Sequence, residues 1–494
     1  MLHRSAPLYL SLVTAIAGCA GGSSDRAFAS SASYGSSGGA GGSAASAPMS
    51  GSYGGESSGG AMADSVASTP TSRPAMDMPS PVRASAPVAP GTMAVRRAEA
   101  SPVAVGATAG GSAGMVAPTS VTVTTTTSVT TNVAPVIVEQ QQTTAGLLTA
   151  ATVGDHDRRN PYLEYLGRHS GERSMLRLDM SRRVRFRVLD GQGQPVNDAS
   201  ISVVGSGAQV AGRSHADGIW DFYPNLYGAQ VGGTMSVHVR SSAGEAQASV
   251  NVPFGGDGQD VMVRLNGSSA GAPRVLDLGF AIDVTGSMGD ELHYIHAELS
   301  NIVQRIQASV PGTTVRVGAT FYRDRTDPVV VQQIPFTTNI PGFVSMMGTV
   351  SASGGGDYPE DMNAGLEAAM RRLQWSEGNA VRVLVVVADA PPQHYNDTQF
   401  TYREAMFDAA SRGIRLLPVA ASGADRSVEY LFRAMGASSG APYVYLTDES
   451  GVGNPHMEAD TDRVAVERFN GLLTRLVISD LRGQGMHEMI RDAQ

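Results

Sequence analysis

One almost entirely apolar segment constrains the fold of this chain more than any other feature. Residues 380–392 read AVRVLVVVADAPP, an apolar run that gives way to Asp389 and two prolines. A strand that is apolar at nearly every position suits burial on both faces, which is typical of parallel sheets covered by helices. Strand-like and helical segments alternate around it from about residue 273 to 490. The pattern predicts an α/β domain over 273–490 with a doubly wound, mostly parallel sheet.

A second buried-looking strand ends in side chains that carry oxygen. In VLDLGFAIDVTGSM, residues 275–288, the apolar run stops at a carboxylate and two hydroxyls: Asp283, Thr285 and Ser287. Ligands of doubly wound sheets bind at the carboxyl ends of the strands, and Asp389 follows another such strand. Two carboxylates there are costly without a cation, and oxygen ligands favour a hard divalent ion, Mg²⁺ first, with Mn²⁺ or Ca²⁺ as alternatives. We expect Gly286 to let the loop curl so that both hydroxyls face the ion.

Four motifs in order give this region a family resemblance. FAIDVTGSM, FYRDR (321–325), GGGDYPEDMNAGL (354–366) and VVADAPP (386–392) resemble a von Willebrand factor type A (VWA) domain. The resemblance implies a metal-ion-dependent adhesion site whose free metal position accepts a carboxylate from a partner protein. The metal ligands that the resemblance implies are Asp283, Thr285, Ser287 and Asp389. Asp357, in the GGGDYPEDMNAGL motif, is a fifth candidate because it lies nearest to where the family has a ligand Thr.

The second ligand loop departs from the family pattern. Where Gly-Gly-Thr-Asp is usual, this chain has Gly355-Gly356-Asp357, so the Thr is missing and Asp357 is its nearest replacement. A third carboxylate would neutralise more of the cation's charge and weaken capture of an acidic partner. Alternatively, Asp357 is a helix-start residue, since Pro359 is expected at the start of the next helix and acidic residues favour the helix dipole there.

The segment before the α/β domain has a different pattern. Short alternating strands separated by turn residues predict a small antiparallel β-sandwich over 181–267. Its motifs, Asp190-x-x-Gly193-x-Pro195 and Asp217-Gly218-x-Trp220, loosely resemble carboxypeptidase-regulatory-like and bacterial immunoglobulin-like modules. Residues 156–180 are charged and aromatic, and they are interpreted as a lead-in arm or short helix.

The N-terminal third is predicted to be an anchor and a tether. Residues 1–18 have an apolar run too short to span a bilayer, and Ile16-Ala17-Gly18-Cys19 resembles the lipobox of bacterial lipoproteins. The resemblance implies a signal peptide over 1–18, a lipid on Cys19 and an outer-membrane location in the cell envelope. Residues 19–155 are rich in Gly, Ser, Ala and Pro, which predicts a disordered tether.

These features favour a non-enzymatic, lipid-anchored binding protein whose VWA domain contacts another protein through a divalent metal. The alternative is a structural component of an envelope assembly, in which the metal only holds loops together. A remote alternative is a Mg²⁺-dependent aspartyl phosphatase, because Asp283-x-Thr-Gly-Ser distantly resembles a phosphorylation loop; however, Val284 stands where cation pumps have Lys. The net charge of −9 disfavours nucleic acid, and the single Cys excludes an intrachain disulfide.

Overall fold

The computed structural model describes residues 148–255, 258–356, 358–448 and 455–488. The predicted signal peptide, Cys19, most of the predicted tether and Asp357 lie outside the described residues. Among the residues that are described, no helix is long and apolar enough to cross a membrane.

The strands, in chain order, are β1 (Thr149–Val153), β2 (Val184–Leu189), β3 (Ser200–Gly205), β4 (Ala208–Arg213), β5 (Ile219–Phe222), β6 (Thr234–Ser241), β7 (Gly244–Asn251), β8 (Gln259–Arg264), β9 (Val275–Asp283), β10 (Thr314–Tyr322), β11 (Val331–Thr337), β12 (Val381–Ala388), β13 (Ile414–Ala420), β14 (Tyr443–Thr447) and β15 (Glu467–Arg468). The helices are α1 (Arg159–Arg168), α2 (Ser170–Leu176), α3 (Gly289–Ser309), α4 (Ile340–Met347), α5 (Met362–Arg371), α6 (Tyr402–Arg412), α7 (Arg426–Ser439) and α8 (Phe469–Leu481).

The central sheet has eight strands in the order β11-β10-β9-β12-β13-β14-β1-β15. Strands β9, β10, β12, β13 and β14 are parallel, whereas β11 and β1 run antiparallel to their neighbours. The predicted doubly wound, mostly parallel sheet is therefore confirmed. The order reverses between β9 and β12, so the crevice expected of this topology opens at their carboxyl ends.

Strand β12 is buried on both faces, as its apolar run predicts. Val383, Val385 and Val387 pack in one core with α3 and α8, while Leu384 and Val386 pack in the other with α5, α6 and α7. Two cores of this kind require helices on both sides of the sheet. The stripe predicted for the first helix of the domain is also buried on α3: Leu292, Ile295, Leu299, Ile302 and Ile306.

The tether prediction is wrong at its C-terminal end. Residues 149–153 form β1, which pairs antiparallel with β14 and with β15 in the main sheet. Its small side chains resemble linker composition, but Ala150 and Ala151 are fully buried because two strands flank them. The expected lead-in arm forms α1 and α2, which bury Tyr162 and Tyr165 against the α7 side of the sheet. The α/β domain thus begins before the sandwich, which is inserted into it.

The sandwich contains seven strands in two sheets, ordered β5-β2-β8 and β4-β3-β6-β7. Trp220 is 1% exposed and packs with Phe186 in its core. The predicted antiparallel sandwich is confirmed, with one parallel pair, β2 and β8, in the smaller sheet.

One helix boundary and one helix differ from the prediction. Helix α5 begins at Met362 rather than at Pro359, because the Asp361 side chain accepts the amide N–H of Ala364 and acts as the N-cap. Helix α4 was not predicted; there, Asn339 caps the chain through the Gly342 amide.

Candidate metal site

The sheet brings the two strand-end aspartates to the same crevice. Asp283 is the last residue of β9, and Asp389 directly follows β12, its neighbour in the sheet. In the parallel register, Ile282 is paired with Val387, so both carboxylates emerge side by side where the strand order reverses. This is the position at which doubly wound sheets bind ligands.

The loop after β9 folds back on its own aspartate. Oδ1 of Asp283 accepts hydrogen bonds from the Thr285 amide at 2.9 Å and from the Thr285 hydroxyl at 2.8 Å. The hydroxyls of Thr285 and Ser287 are 3.4 Å apart. Asp283 and Thr285 are buried, whereas Ser287 is exposed, so the loop presents one hydroxyl to solvent.

Two oxygens of the crevice lack hydrogen bonds. Among the described residues, neither Oδ2 of Asp283 nor Oδ1 of Asp389 has a partner of acceptable geometry, although both atoms are buried. The Tyr322 hydroxyl, which lies beside Asp283, is likewise buried without a properly aligned partner. Buried carboxylate oxygens left unsatisfied are costly, so their presence together fits a bound cation.

Both aspartates have raised pKa values. Burial raises the pKa of Asp283 to about 7, and the charge of Asp389 adds to the effect against the hydrogen bonds from Thr285. Burial also raises the pKa of Asp389, opposed by a hydrogen bond from the Ser287 hydroxyl. The two ionised forms are thus disfavoured in the protein alone, and a divalent cation would supply the missing counter-charge.

The second ligand loop packs directly on the first. The Ser353 amide donates to the Val284 carbonyl at 3.0 Å, and the Gly286 amide donates to the Gly354 carbonyl at 3.2 Å. Gly355 has a positive φ of 75°, and a Cβ there would lie 2.7 Å from Oε1 of Glu360. Only glycine fits such a position without strain.

The expected role of Gly286 is wrong. Gly286 has no left-handed φ, and a Cβ added to it would meet only the Gly354 carbonyl oxygen, at an ordinary contact distance of 3.5 Å. The curl comes instead from the hydrogen bonds that Thr285 donates to Asp283.

The crevice contains two glutamates that were not predicted from the sequence as site residues. Glu360 is 5% exposed; its backbone is bonded to the loop after β12, through the Pro391 carbonyl and the Gln393 amide. Glu291, in the first turn of α3, is 1% exposed, accepts hydrogen bonds from Ser422 and raises the pKa of Asp389. Both lie near the start of a helix, where an acidic residue is ordinarily explained by the helix dipole, so the sequence gives no sign that these carboxylates face the crevice.

The loop after β10 supports the site from outside. Arg323 donates to the Ser351 and Ser353 carbonyls at 2.7 and 2.8 Å, which holds the chain that leads into the glycine loop. Asp324 does not pair with Arg323; it accepts the Tyr395 hydroxyl at 2.7 Å. Asp327 of the same loop accepts the Gly355 amide at 2.9 Å, so the segment after β10 holds the backbone of the second ligand loop at Gly355 as well.

Part of the α/β domain matches a known protein family. Residues 277–414 match the family model of the von Willebrand factor A domain. The chain contains a VWA domain. The matched segment includes all but the first two residues of β9, and the whole of β10 and β12, so it contains both strand ends that carry Asp283 and Asp389.

The chain has curated relatives over about a quarter of its length. It is 33% identical over 125 residues to a putative ariadne-like RING finger protein of Acanthamoeba polyphaga mimivirus, covering 25% of this chain and 12% of that protein. It is 25% identical over 130 residues to the alpha-protein kinase vwkA of Dictyostelium discoideum, covering 26% of this chain and 20% of the kinase. The chain thus spans a fifth or less of the length of these relatives.

Solved structures resemble the chain only weakly. The pilus adhesin SpaC of Lactobacillus rhamnosus GG has 13% identity and a TM-score of 0.27, over 42% of this chain and 30% of the adhesin. Proximal thread matrix protein 1 of the mussel byssus has 11% identity and a TM-score of 0.28, over 43% of this chain and 46% of that one. Likenesses this weak carry nothing about partners.

Proposed function

We propose that the VWA domain binds another protein through a divalent cation, Mg²⁺ first, held at the crevice between β9 and β12. A VWA domain by itself suggests protein–protein interaction or adhesion. The observation that supports the metal is the pair of buried, unsatisfied oxygens, Oδ2 of Asp283 and Oδ1 of Asp389, at the strand ends.

The donors suit a hard cation. Asp283 and Asp389 would hold the cation, directly or through water, together with the hydroxyls of Thr285 and Ser287. Asp357 would supply the ligand from the second ligand loop. All are oxygen donors, the type that Mg²⁺ and Ca²⁺ prefer. The cation would supply an electrophilic position for an oxygen from the partner.

The carboxylate count bears on the partner's chemistry. Glu291 and Glu360 add two buried acidic groups near the two aspartates. Every further negative charge at the site reduces the attraction between the cation and a carboxylate on the partner. This site would therefore bind an acidic side chain more weakly than a metal site that has only two carboxylates. The affinity for a neutral oxygen ligand on the partner would be reduced less, because such a ligand is not repelled by the extra negative charges.

We further propose that a lipid on Cys19 anchors the protein in the bacterial cell envelope, with the following segment as a spacer. The lipobox-like Ile16-Ala17-Gly18-Cys19 supports this. Cys19→Ala is expected to move the protein from the membrane to the soluble fraction of fractionated cells. Unchanged membrane association of Cys19→Ala would contradict the anchor.

The test compares the full chain with Asp283→Asn in Mg²⁺ and in EDTA. Asn keeps the oxygen that accepts from Thr285 but loses the charge. Asp290→Asn, at an exposed carboxylate at the start of α3, is the matched control. We expect Mg²⁺ binding by calorimetry, and capture of a specific envelope protein, to be lost in Asp283→Asn and in EDTA but kept in Asp290→Asn.

Two results would contradict the proposal. If EDTA lowers the melting temperature while partner capture at low temperature persists, the metal is structural and another face binds. If the protein hydrolyses a generic phosphoester and Asp283→Asn abolishes turnover, Asp283 is a nucleophile, and our proposal of a non-enzymatic protein is wrong.

A further inference from the structure

A second cluster of ligand-type side chains lies far from the VWA crevice. His156 and Asp157 follow β1, and His487 follows α8, 330 residues from Asp157. One potential ligand atom from each of the three residues lies within 4.8 Å of the others. The cluster joins the turn after β1 to the C-terminal segment of the described chain.

His156 is buried, and its ring makes no well-aligned hydrogen bond within the described chain. It is 3% exposed, and among the described residues neither ring nitrogen has a partner of acceptable geometry. Its Nε2 lies 3.2 Å from Oδ2 of Asp157. The His156 carbonyl accepts from Arg183 at 2.7 Å and from Arg185 at 2.8 Å, so the backbone that carries the ring is fixed. In the part of the chain that the structure describes, Nδ1 is thus buried without a partner and Nε2 has only this contact with Asp157, which is costly for an immobilised imidazole unless something binds it.

The hydrogen bonds of His487 fix its tautomer. Its Nε2 lies 2.6 Å from the Gln484 carbonyl oxygen, which only accepts, so Nε2 carries the proton. In the neutral ring Nδ1 then presents a lone pair, and it lies 2.6 Å from Oδ2 of Asp157. Two lone pairs at that distance need a proton or a cation between them. An N–H that donates to a carbonyl while the other nitrogen is left for a ligand is the usual arrangement of metal-binding histidines.

We propose that His156, Asp157 and His487 form a second cation site, of the zinc class. Two imidazole nitrogens and one carboxylate suit a borderline ion such as Zn²⁺, whereas the oxygen-only crevice suits Mg²⁺. Three protein ligands leave a fourth position for water or a ligand. Asp157 and His487 line a cavity of about 630 Å³ beside the sandwich, together with Arg185 and Asp217, so that position is reachable from solvent.

The ion would fasten the C-terminal segment to the turn after β1. Besides the contact between Asp157 and His487, the two segments are already joined by a hydrogen bond from the Gly154 amide to Oε2 of Glu488 at 2.8 Å and by an ion pair between Arg158 and Glu488 at 3.7 Å. The alternative occupant of the cluster is a proton. A hydrogen bond with Asp157 raises the pKa of His487, and a protonated ring would pair with Asp157 without any metal.

The test uses the full chain in excess Mg²⁺, which occupies the other site, and titrates Zn²⁺ against a chromophoric chelator. We expect one Zn²⁺ per chain, and an affinity that falls by roughly tenfold or more in His487→Gln and in Asp157→Asn. His238→Gln, at an exposed histidine on β6, is the control and should bind Zn²⁺ like the wild type. Loss of Mg²⁺ binding in Asp283→Asn should leave Zn²⁺ binding intact, which separates this site from the proposed adhesion site.

Spectroscopy of the wild type tests the site without relying on the folding of any variant. Co²⁺ in place of Zn²⁺ should give visible bands in the wild type, and the ring nitrogens of His156 and His487 should shift in ¹⁵N spectra on adding Zn²⁺. The proposal is overturned if Zn²⁺ affinity is equal in His487→Gln and His238→Gln. It is also overturned if Zn²⁺ leaves both rings unshifted while His487 stays doubly protonated at neutral pH.

Discussion

Arg415 of β13 donates to Oδ2 of Asp217 at 2.7 Å, and this partly buried bond joins the central sheet to the inserted sandwich. The same guanidinium donates to Asp480 of α8 at 2.9 Å and to the Ser439 and Gly440 carbonyls. Arg415 is 1% exposed. One side chain therefore holds together three parts of the chain that are remote in sequence.

Replacing this arginine should destabilise the fold strongly. Arg415→Met leaves the buried Asp480 carboxylate without its cation, and we expect the free energy of unfolding to fall by about 3–5 kcal/mol, measured in urea. The control is Arg240→Met, which removes an ion pair with Glu245 in which both side chains are exposed, and which should cost at most about 1 kcal/mol. Equal losses in the two variants would contradict the role given to Arg415.

The crevice aspartate should make stability depend on pH and on metal. Because the folded pKa of Asp283 is raised to about 7, the folded state binds the proton more tightly than the unfolded chain does. In EDTA, the contribution of Asp283 to stability is therefore present at about pH 4 and is lost as pH rises through 7. Asp283→Asn should remove this loss and raise the melting temperature at pH 8 in EDTA.

In Mg²⁺ at pH 8, the wild type should have a higher melting temperature than Asp283→Asn, the reverse of the order expected in EDTA. Bound cation favours the ionised carboxylate, so Mg²⁺ should stabilise the wild type at pH 8 and leave Asp283→Asn unchanged. Melting curves at pH 5 and pH 8, with Mg²⁺ or EDTA, measure both effects. Equal stabilisation of Asp283→Asn by Mg²⁺ would show that the ion binds elsewhere.

The two glycines of the ligand loops should respond differently to alanine. Gly355→Ala adds a left-handed alanine, which costs about 1–2 kcal/mol, and pushes its Cβ against Glu360. Mg²⁺ affinity should fall as the loop moves away from Thr285. Gly286→Ala meets only an ordinary contact at 3.5 Å and should keep both stability and Mg²⁺ affinity. Calorimetric titration of both variants is the measurement, and a larger defect in Gly286→Ala would be inconsistent with the loop geometry.

The N-terminal limit of the folded head can be tested by truncation. A head of residues 156–494 lacks β1 and leaves the edge of β14 unpaired, whereas 139–494 retains it. We expect the shorter head to melt lower by more than about 5 °C and to aggregate, since an open, apolar strand edge invites pairing. Identical melting curves would mean that β1 contributes nothing to the fold.

The sequence determined the parts of this protein that depend on local pattern. The apolar run of β12 required burial on both faces, and the alternation around it required a doubly wound sheet. Asp283 and Asp389 could be placed at neighbouring strand ends because parallel strands bring their carboxyl ends to one edge. The buried stripe of α3 follows from the helical period alone.

Only the tertiary structure decided what depends on remote neighbours. Thr149–Val153 looks like linker, and it is a strand because β14 and β15 provide partners on both sides. Glu291 and Glu360 read as helix-start residues, and they face the crevice because of how α3 and the loop after β12 pack. Asp157 and His487 meet across 330 residues. Contacts of that range are set by the packing of whole elements, to which no local pattern of side chains is sensitive.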